Sequence, residues 1–280
     1  MTDQDFPSRY GPWAVVAGAS TGLGAAFADE AAQRGLNVML LARRRDVMEQ
    51  TAQRIRDAHG VEVRPVVLDM AAADAAAQFV DAVSGIDVGL FIYNAALEPQ
   101  GLFIDESTDE LLGNITVNCV TPTLLTHHVA SMMARRGRGG VVLVSSMGAL
   151  QGIKVFAAYG AAKSYELILA EGLWDELRDH GVDACAYVVG STATPTFLER
   201  QKSMKTPDEQ TLKSVFGDVG DGVSAPRPPQ QVAAALFPQL GTGPRLFSDP
   251  ADEQAAAFMA TLPRRDTVEM MGKISSMFWE

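Results

Sequence analysis

The sequence has few cysteines, a shortage of positive charge and no long apolar run. Its two cysteines, Cys119 and Cys185, stand far apart without metal-site spacing, so we predict reduced thiols in apolar surroundings and no metal centre. Lysine and arginine total 23 against 34 aspartate and glutamate residues, for a formal net charge of -11. That charge repels nucleic acid and anionic membranes, and we expect neither as a partner.

The absence of a membrane-type segment favours a soluble protein. No apolar run approaches the ~20 residues that span a bilayer, and the N-terminal segment MTDQDFPSRYG is polar and acidic, unlike a secretory signal. Hydrophobic residues make up 47% and charged residues 20% of the chain, which is enough apolar material for a substantial core. We therefore expect a soluble, cytoplasmic globular protein.

Short apolar runs alternate with helical patterns through most of the chain. The runs predict strands at residues 13–17, 37–41, 61–68, 88–93, 141–144 and 182–189, with helices between them. Strands and helices that alternate at this spacing give right-handed crossovers and a parallel sheet. No linker interrupts the pattern, so we predict one α/β domain over residues 1–280, a doubly wound parallel sheet flanked by helices. A long predicted helix at 108–135 contains Pro122, which should bend it or force a local rearrangement.

The chain changes character after the sixth predicted strand. Residues 190–229 are polar and contain glycine and proline, as in a lid or loop over a substrate, although such a segment can also be unstructured. A helix at 230–240 and a short strand at 245–247 are predicted next. Residues 250–280 form a predicted helical extension with a methionine and aromatic stripe, which we interpret as packing or subunit contact.

Three glycines lie between the first predicted strand and the first helix. Gly18, Gly22 and Gly24 allow a tight turn and a close backbone approach, so that the helix N-terminus can receive a pyrophosphate. A structural turn without a ligand is the alternative. The position after the first strand of a parallel sheet favours a dinucleotide.

The end of the second strand indicates which dinucleotide. Sites for NAD place an acidic residue here and sites for NADP an arginine, and this chain has Arg43 followed by two more arginines. A solvated helix start is the alternative, but cations at a helix N-terminus oppose its dipole. We predict that NADP(H) is preferred, with NAD(H) left open. Asp69, at the end of the third strand, either lies beside an adenine or caps the following helix.

Tyr159 and Lys163 lie four residues apart in a helical pattern and therefore on one helix face. A phenol has a pKa of about 10, and a nearby cation favours the phenolate and lowers that pKa toward neutrality. Ser145 and Ser146 end the preceding strand, and either hydroxyl could reach the pair. A Tyr and Lys pair of this kind is also common on solvated helices.

Taken together, these residues resemble the short-chain dehydrogenase/reductase family. The resemblance covers residues 13–194 and comprises GASTGLG at 18–24, Asn94-Ala-Ala, Asn118, Ser146, Tyr159-x-x-x-Lys163, Gly190 and Thr194. It implies a single-domain Rossmann fold with seven parallel strands, and hydride transfer between NAD(P) and a carbonyl or alcohol. It also implies a homodimer or homotetramer built on the two long central helices.

The resemblance assigns four catalytic residues. Tyr159 is the implied general acid/base, and Lys163 the implied cation that lowers its pKa and binds the nicotinamide ribose. Ser146, preferred over Ser145 by its spacing from the tyrosine, is expected to hydrogen-bond the substrate oxygen. Asn118 is expected to hold a water in a proton relay to the lysine.

The resemblance also implies a set of cofactor contacts. Asn94 is expected to support the adenosine site and Thr194 to bond the nicotinamide carboxamide. The predicted cofactor-binding residues are Gly18, Ser20, Thr21, Gly22, Leu23, Gly24, Arg43, Asp69, Asn94, Tyr159, Lys163, Gly190, Thr192 and Thr194.

The chain departs from the family pattern at two places. Ala96 stands where the family usually has glycine, and Val189 where it usually has proline, which leaves the seating of the nicotinamide open. The apolar candidates for the substrate pocket predict a small, mainly hydrophobic carbonyl or alcohol substrate; they are Leu150, Val155, Phe156, Phe197 and Phe216. A catalytically silent NADP-binding sensor or interaction module is the alternative, although such a module has no chemical reason to keep all four catalytic residues.

Overall fold

The computed structural model describes residues 6–202 and 226–279. Its centre is a seven-stranded sheet in the order β3-β2-β1-β4-β5-β6-β7, and every neighbouring pair of strands is parallel. The predicted parallel α/β fold is confirmed. The strands are β1 Trp13–Ala17, β2 Asn37–Ala42, β3 Val63–Val67, β4 Val88–Tyr93, β5 Gly139–Ser146, β6 Val182–Val189 and β7 Arg245–Phe247.

Helices cover both faces of this sheet. They are α1 Phe6–Tyr10, α2 Gly22–Gln33, α3 Arg45–His59, α4 Ala75–Ala82, α5 Thr108–Ile115, α6 Thr121–Arg136, α7 Ala157–Arg178, α8 Pro195–Gln201, α9 Pro229–Leu236, α10 Pro250–Thr261 and α11 Arg264–Trp279. Helices α1 and α8 were not predicted from the sequence. Helix α4 does not follow β3 directly, because the Asp69 carboxylate accepts the Ala71 N–H at 3.0 Å and forms a local turn that competes with a helix.

The core consists of two apolar layers, one on each face of the sheet. Phe27 of α2 and Val232 of α9 belong to one layer, and Phe79 of α4 and Leu125 of α6 belong to the other. Strands β1 and β4 are buried along their whole length, as expected for central strands covered on both faces. The strand order reverses between β1 and β4, and ligands bind parallel sheets at such a reversal.

Helices α5 and α6 are joined by a π-helical turn at Thr116–Val120. Pro122 is the second residue of α6, and it lacks the N–H that an α-helix would donate to the carbonyl of Asn118. The wider turn absorbs this missing bond without ending the helix, so the predicted rearrangement near Pro122 is confirmed. Turns of this type often occur at functional sites, and Asn118 lies inside it.

Several expectations concern the chain as a whole. Cys119 is half-buried and Cys185 is buried, and both are free thiols. None of the helices within residues 6–202 and 226–279 combines the length and apolar character needed to cross a bilayer. Most of the predicted lid, residues 203–225, lies outside the described residues, and so does the pocket candidate Phe216.

Candidate active site

A cavity of about 980 Å³ opens at the C-terminal ends of the strands. Its walls come from the segments that follow β1 to β6 and from the C-terminal helices α10 and α11. The cavity therefore lies over the reversal between β1 and β4. Parallel α/β proteins bind nucleotides at this place.

The glycine turn after β1 forms one wall of the cavity. Gly18 has a φ of +77°, and a Cβ at this position would lie 2.8 Å from the Cα of Ala95. A Cβ on Gly24 would lie 2.1 Å from the Gly18 carbonyl oxygen. Asn94 donates from Nδ2 to that same carbonyl at 3.3 Å, so the loop after β4 holds the turn. The turn leaves room for a ligand because side chains are missing here.

Two arginines line the cavity beside this turn. Arg44 donates from Nη2 to Ser20 Oγ and to Thr21 Oγ1, each at 3.2 Å, and Arg43 lies next to it. Both guanidinium groups are exposed, and no carboxylate in residues 6–202 or 226–279 forms an ion pair with either one. The sequence selected Arg43 and missed Arg44, although the run of three arginines was the available signal.

Asp69 lines the same part of the cavity. Its Oδ1 accepts the Ala71 N–H at 3.0 Å, so it caps a turn ahead of α4 and not the helix itself. The helix-cap interpretation of Asp69 is therefore wrong, because Asp74 stands at the N-cap position of α4. Its place beside an adenine stays a prediction.

Tyr159 and Ser146 meet on the opposite wall of the cavity. Ser146 Oγ accepts the Gly148 N–H at 3.1 Å, and the Ser146 hydroxyl is hydrogen-bonded to Tyr159. The Ser145 side chain is buried and donates to the Lys163 carbonyl at 2.8 Å. Successive side chains of a strand point to opposite faces, and this alternation places Ser146, not Ser145, at the cavity.

The pKa of Tyr159 is raised above its ordinary value. Burial is the largest cause, the Glu98 carboxylate adds to it, and the hydrogen bond with Ser146 acts in the opposite direction. The expectation that Lys163 would lower this pKa is wrong for this arrangement. At neutral pH Tyr159 is therefore a protonated phenol that can donate.

Lys163 lies behind Tyr159 and does not line the cavity. Its Nζ donates to Glu166 Oε2 at 2.8 Å and to the Val144 carbonyl at 2.9 Å. Lys163 is 3% exposed and Glu166 0%. The sequence analysis missed Glu166, although a carboxylate three residues after a lysine on a helix was visible. Burial raises the pKa of Glu166 to about 7, and Lys163 opposes that rise.

Asn118 is fully buried in the π-helical turn. Its Oδ1 accepts the Leu97 N–H at 3.0 Å, while Nδ2 donates to the Leu97 carbonyl at 2.6 Å and to Asn114 Oδ1. The side chain thus ties α5 to the loop after β4. Its assignment to a proton relay stays a prediction, as do the other assigned roles.

A family comparison decides what kind of site this is. The model of the short chain dehydrogenase family matches residues 12–205. The chain belongs to the short chain dehydrogenase family. It is therefore an oxidoreductase of the hydride-transfer class.

The similar proteins agree with this assignment over nearly the whole chain. A 7beta-hydroxysteroid dehydrogenase of Clostridium sardiniense is 29% identical over 272 residues, which are 96% of this chain and 98% of the relative. A structure solved to study 7beta-hydroxysteroid dehydrogenase stereoselectivity has a TM-score of 0.84 at 27% identity, and the match covers 95% of this chain and 98% of the other. A short-chain dehydrogenase from Sphingobium yanoikuyae in complex with NADPH shares the fold, with a TM-score of 0.73, 22% identity and coverage of 90% and 97%.

The backbone of this chain accommodates both departures from the family pattern, Ala96 and Val189. Ala96 needs no left-handed backbone, since Val155 is the non-glycine residue with a positive φ in the described part of the chain. Val189 continues β6 and pairs with Ser146 in the sheet, so the strand needs no proline at its end.

The segment after β6 adds three predicted cofactor residues to the cavity wall. Gly190 packs so closely on the tail that a Cβ there would lie 2.8 Å from Asp252 Oδ2. Thr192 Oγ1 donates to the Gly190 carbonyl at 3.1 Å, and Thr194 Oγ1 accepts the Phe197 N–H at 3.1 Å to cap α8. These bonds hold the segment against the cavity.

The apolar wall of the cavity differs in part from the predicted substrate pocket. Phe156 and Phe197 line the cavity, whereas Leu150 and Val155 do not. The tail supplies residues that the sequence analysis had interpreted as packing or subunit contact, namely Met259, Met271 and Ile274. An ion pair between Glu98 and Arg200 was also missed, and both of its members line the cavity.

Proposed function

We propose that this chain is an NADP(H)-dependent oxidoreductase that interconverts a hydroxyl group and a carbonyl group on a steroid-like substrate. The observation that carries the proposal is the hydrogen-bonded pair of Tyr159 and Ser146 in the cavity that the glycine turn also lines. The 7beta-hydroxysteroid dehydrogenases similar to this chain support a rigid, apolar, multi-ring alcohol or ketone. Their match over nearly the full length includes the tail that forms the apolar wall.

The residues around the glycine turn fit a dinucleotide phosphate. The turn offers backbone without side chains at the start of α2, where the helix dipole favours a negative group. Arg43 and Arg44 place two cations on the same wall, and a guanidinium binds phosphate oxygens in a bidentate manner. No acidic residue ends β2 to compete with a 2′-phosphate. We therefore assign NADP(H), and Thr194 and Asn94 would hold its two ends.

The bound nicotinamide would supply or accept the hydride, and the chain would handle the proton. In reduction, the Tyr159 hydroxyl donates its proton to the substrate oxygen as negative charge develops there. The Ser146 hydroxyl donates a hydrogen bond to the same oxygen. Because the pKa of Tyr159 is raised, reduction is favoured at neutral pH and alcohol oxidation, which needs the phenolate, at higher pH.

The exposed faces of α5, α6 and α7 support an assembly of identical subunits. Leu112, Leu124 and Ile168 are 56%, 49% and 61% exposed. Large apolar side chains grouped on neighbouring helices mark interaction surfaces. We propose a homodimer through these helices, and light scattering of the wild type and of Ile168→Glu measures it. A monomeric wild type would rule the dimer out.

The catalytic proposal is tested by replacing the phenol. The wild type, Tyr159→Phe and Tyr165→Phe are compared in NADPH oxidation with a panel of ketosteroids and smaller ketones. Tyr165 is the matched control, since it lies on the same helix and its hydroxyl contacts Thr123 outside the cavity. We expect Tyr159→Phe to lose about 10²–10⁴-fold in turnover while its NADPH affinity stays near that of the wild type.

The same panel separates the proposal from a catalytically silent module. One observation supports that alternative. The Lys163 ammonium already donates to the Glu166 carboxylate and to the Val144 carbonyl, and Lys163 does not line the cavity. Tight NADPH binding without oxidation by any member of the panel would establish the silent module. Turnover that survives in Tyr159→Phe would instead remove Tyr159 from the proton transfer.

A further inference from the structure

Glu166 is a fully buried acid, and the proposed reaction assigns it no role. It lies one turn after Lys163 on α7, and its Oε2 accepts from the Lys163 ammonium at 2.8 Å. Its other oxygen, Oε1, has no hydrogen-bond partner among the described residues. A buried oxygen without a partner is unfavourable, whereas Oε2 offsets the charge of a lysine that is itself buried. The reason for a carboxyl group at this position therefore lies in its pairing with Lys163.

The groups that face Glu166 come from three parts of the fold. Tyr93 belongs to β4 and Cys119 to the π-helical turn, and the carboxylate influences the ionisation of both. Lys163 and Tyr159 belong to α7, as Glu166 does. Within the described part of the chain, Lys163 is the cation that contacts the carboxylate. The charge of this buried pair therefore depends on whether Glu166 carries a proton.

That proton changes the electrostatic surroundings of Tyr159. When Glu166 is ionised, its charge offsets Lys163, and the carboxylate itself raises the pKa of Tyr159. When Glu166 is protonated, the Lys163 charge is no longer offset and favours the phenolate. Burial raises the pKa of Glu166 to about 7, so both states are accessible near neutrality.

We propose that Glu166 is a positioning residue for Tyr159: it holds the Lys163 ammonium and, by gaining or losing a proton, sets how strongly that ammonium favours the phenolate. The inference rests on the proposed function, because it concerns the group that moves the proton in that reaction. Glu166 acts on Tyr159 through Lys163 and through its own charge, and it does not line the cavity.

The first test is the pH profile of alcohol oxidation in Glu166→Gln. Glutamine keeps the shape and can still accept from Lys163, but it carries no charge. We expect the acidic inflection of kcat/KM to move to lower pH by about one unit, with unchanged NADP affinity. Glu171→Gln is the matched control, because Glu171 lies on the same helix and pairs with Arg245. An inflection that stays in place would overturn the inference.

The second test requires no turnover. A carboxyl whose folded-state pKa lies above its unfolded value stabilises the fold at low pH, and the protein loses that stability as the pH rises through the folded-state pKa. The wild type should therefore lose stability between about pH 5 and pH 7 relative to Glu166→Gln, and the gap in Tm should then level off. A constant gap in Tm across this range would show that Glu166 does not titrate and would overturn the inference.

The outcomes distinguish this inference from the proposed function. If the wild type reduces or oxidises no substrate of the panel, the proposed function fails and the role of Glu166 fails with it. If the wild type is active but the inflection stays in place, the proposed function stands and the role of Glu166 fails. Should Glu166→Gln not fold, Glu166→Leu removes the same charge, and the inflection is expected to move in the same direction.

Discussion

The two sides of the cavity are built in different ways. The proposed cofactor side consists of the glycine turn at residues 18–24 with Arg43 and Arg44, and it offers a ligand backbone groups, hydroxyls and cations. The proposed substrate side consists of apolar side chains from separate parts of the chain, with one ion pair among them. Its main members are Phe156, Phe197, Met259, Met271, Ile274, Glu98 and Arg200.

This difference predicts different responses to substitution. A Cβ added to Gly18 or Gly24 would lie within 3 Å of backbone atoms, so the glycine turn has no room for a side chain at either position. Methionine side chains are flexible and adjust to changes around them. Substitutions in the glycine turn should therefore abolish cofactor binding, whereas substitutions on the substrate side should have graded effects that depend on the substrate.

The largest effect is expected for Gly24→Ala. The new Cβ would lie 2.1 Å from the Gly18 carbonyl oxygen and 2.8 Å from Asn94 Nδ2. The turn must move, so we expect loss of NADPH binding and destabilisation by about 1–3 kcal/mol, measured by cofactor titration and urea unfolding. Gly172→Ala on α7 is the control, because no described residue beyond the local helix backbone has an atom within 4 Å of a Cβ added there, and alanine should stabilise the helix. Undisturbed NADPH binding in Gly24→Ala would contradict a rigid cofactor side.

The arginines should show the next largest effect. Arg43→Ala and Arg44→Ala each remove a cation from the cavity wall, so we expect NADPH affinity to fall roughly 10–100-fold. NADH lacks the 2′-phosphate and should lose far less. Arg45→Ala is the control, since Arg45 does not line the cavity. Equal losses for NADPH and NADH, measured by fluorescence titration, would remove the arginines from phosphate recognition.

A graded effect is expected for Met271→Ala on the substrate side. The smaller side chain leaves space in the apolar wall, so kcat/KM for a ketosteroid should fall about 10-fold while NADPH affinity is kept. Met270→Ala is the neighbouring control outside the cavity. A loss of the same size for small and large ketones would mean that α11 does not shape the substrate site.

The smallest effect is expected at the Glu98–Arg200 pair, which is partly exposed and therefore screened by solvent. Glu98 raises and Arg200 lowers the pKa of Tyr159. Glu98→Gln should thus move the acidic inflection of alcohol oxidation to lower pH, and Arg200→Gln should move it to higher pH, each by less than about one unit. Shifts of the same sign in both variants would indicate a packing effect instead of an electrostatic one.

Several features followed from the sequence by itself. The apolar runs predicted the parallel sheet, because central strands covered on both faces need continuous apolar residues. Gly18 and Gly24 gave the turn, because its close contacts exclude a Cβ. Pro122 predicted the rearrangement of the long helix, because a missing N–H removes a hydrogen bond within the same helix.

Other features were decided by the tertiary structure. Spacing already favoured Ser146 over Ser145, but which of them borders the cavity depends on the face of β5 that meets it. Arg44 is distinguished by its contacts with the turn. The tail reaches the cavity through contacts between residues far apart in the chain, which no local pattern encodes. Lys163 shows the physical reason most clearly: its helix position was visible, but folding buries it with Glu166, which gives its charge a partner. Folding also buries Tyr159, and that burial is the largest cause of its raised pKa.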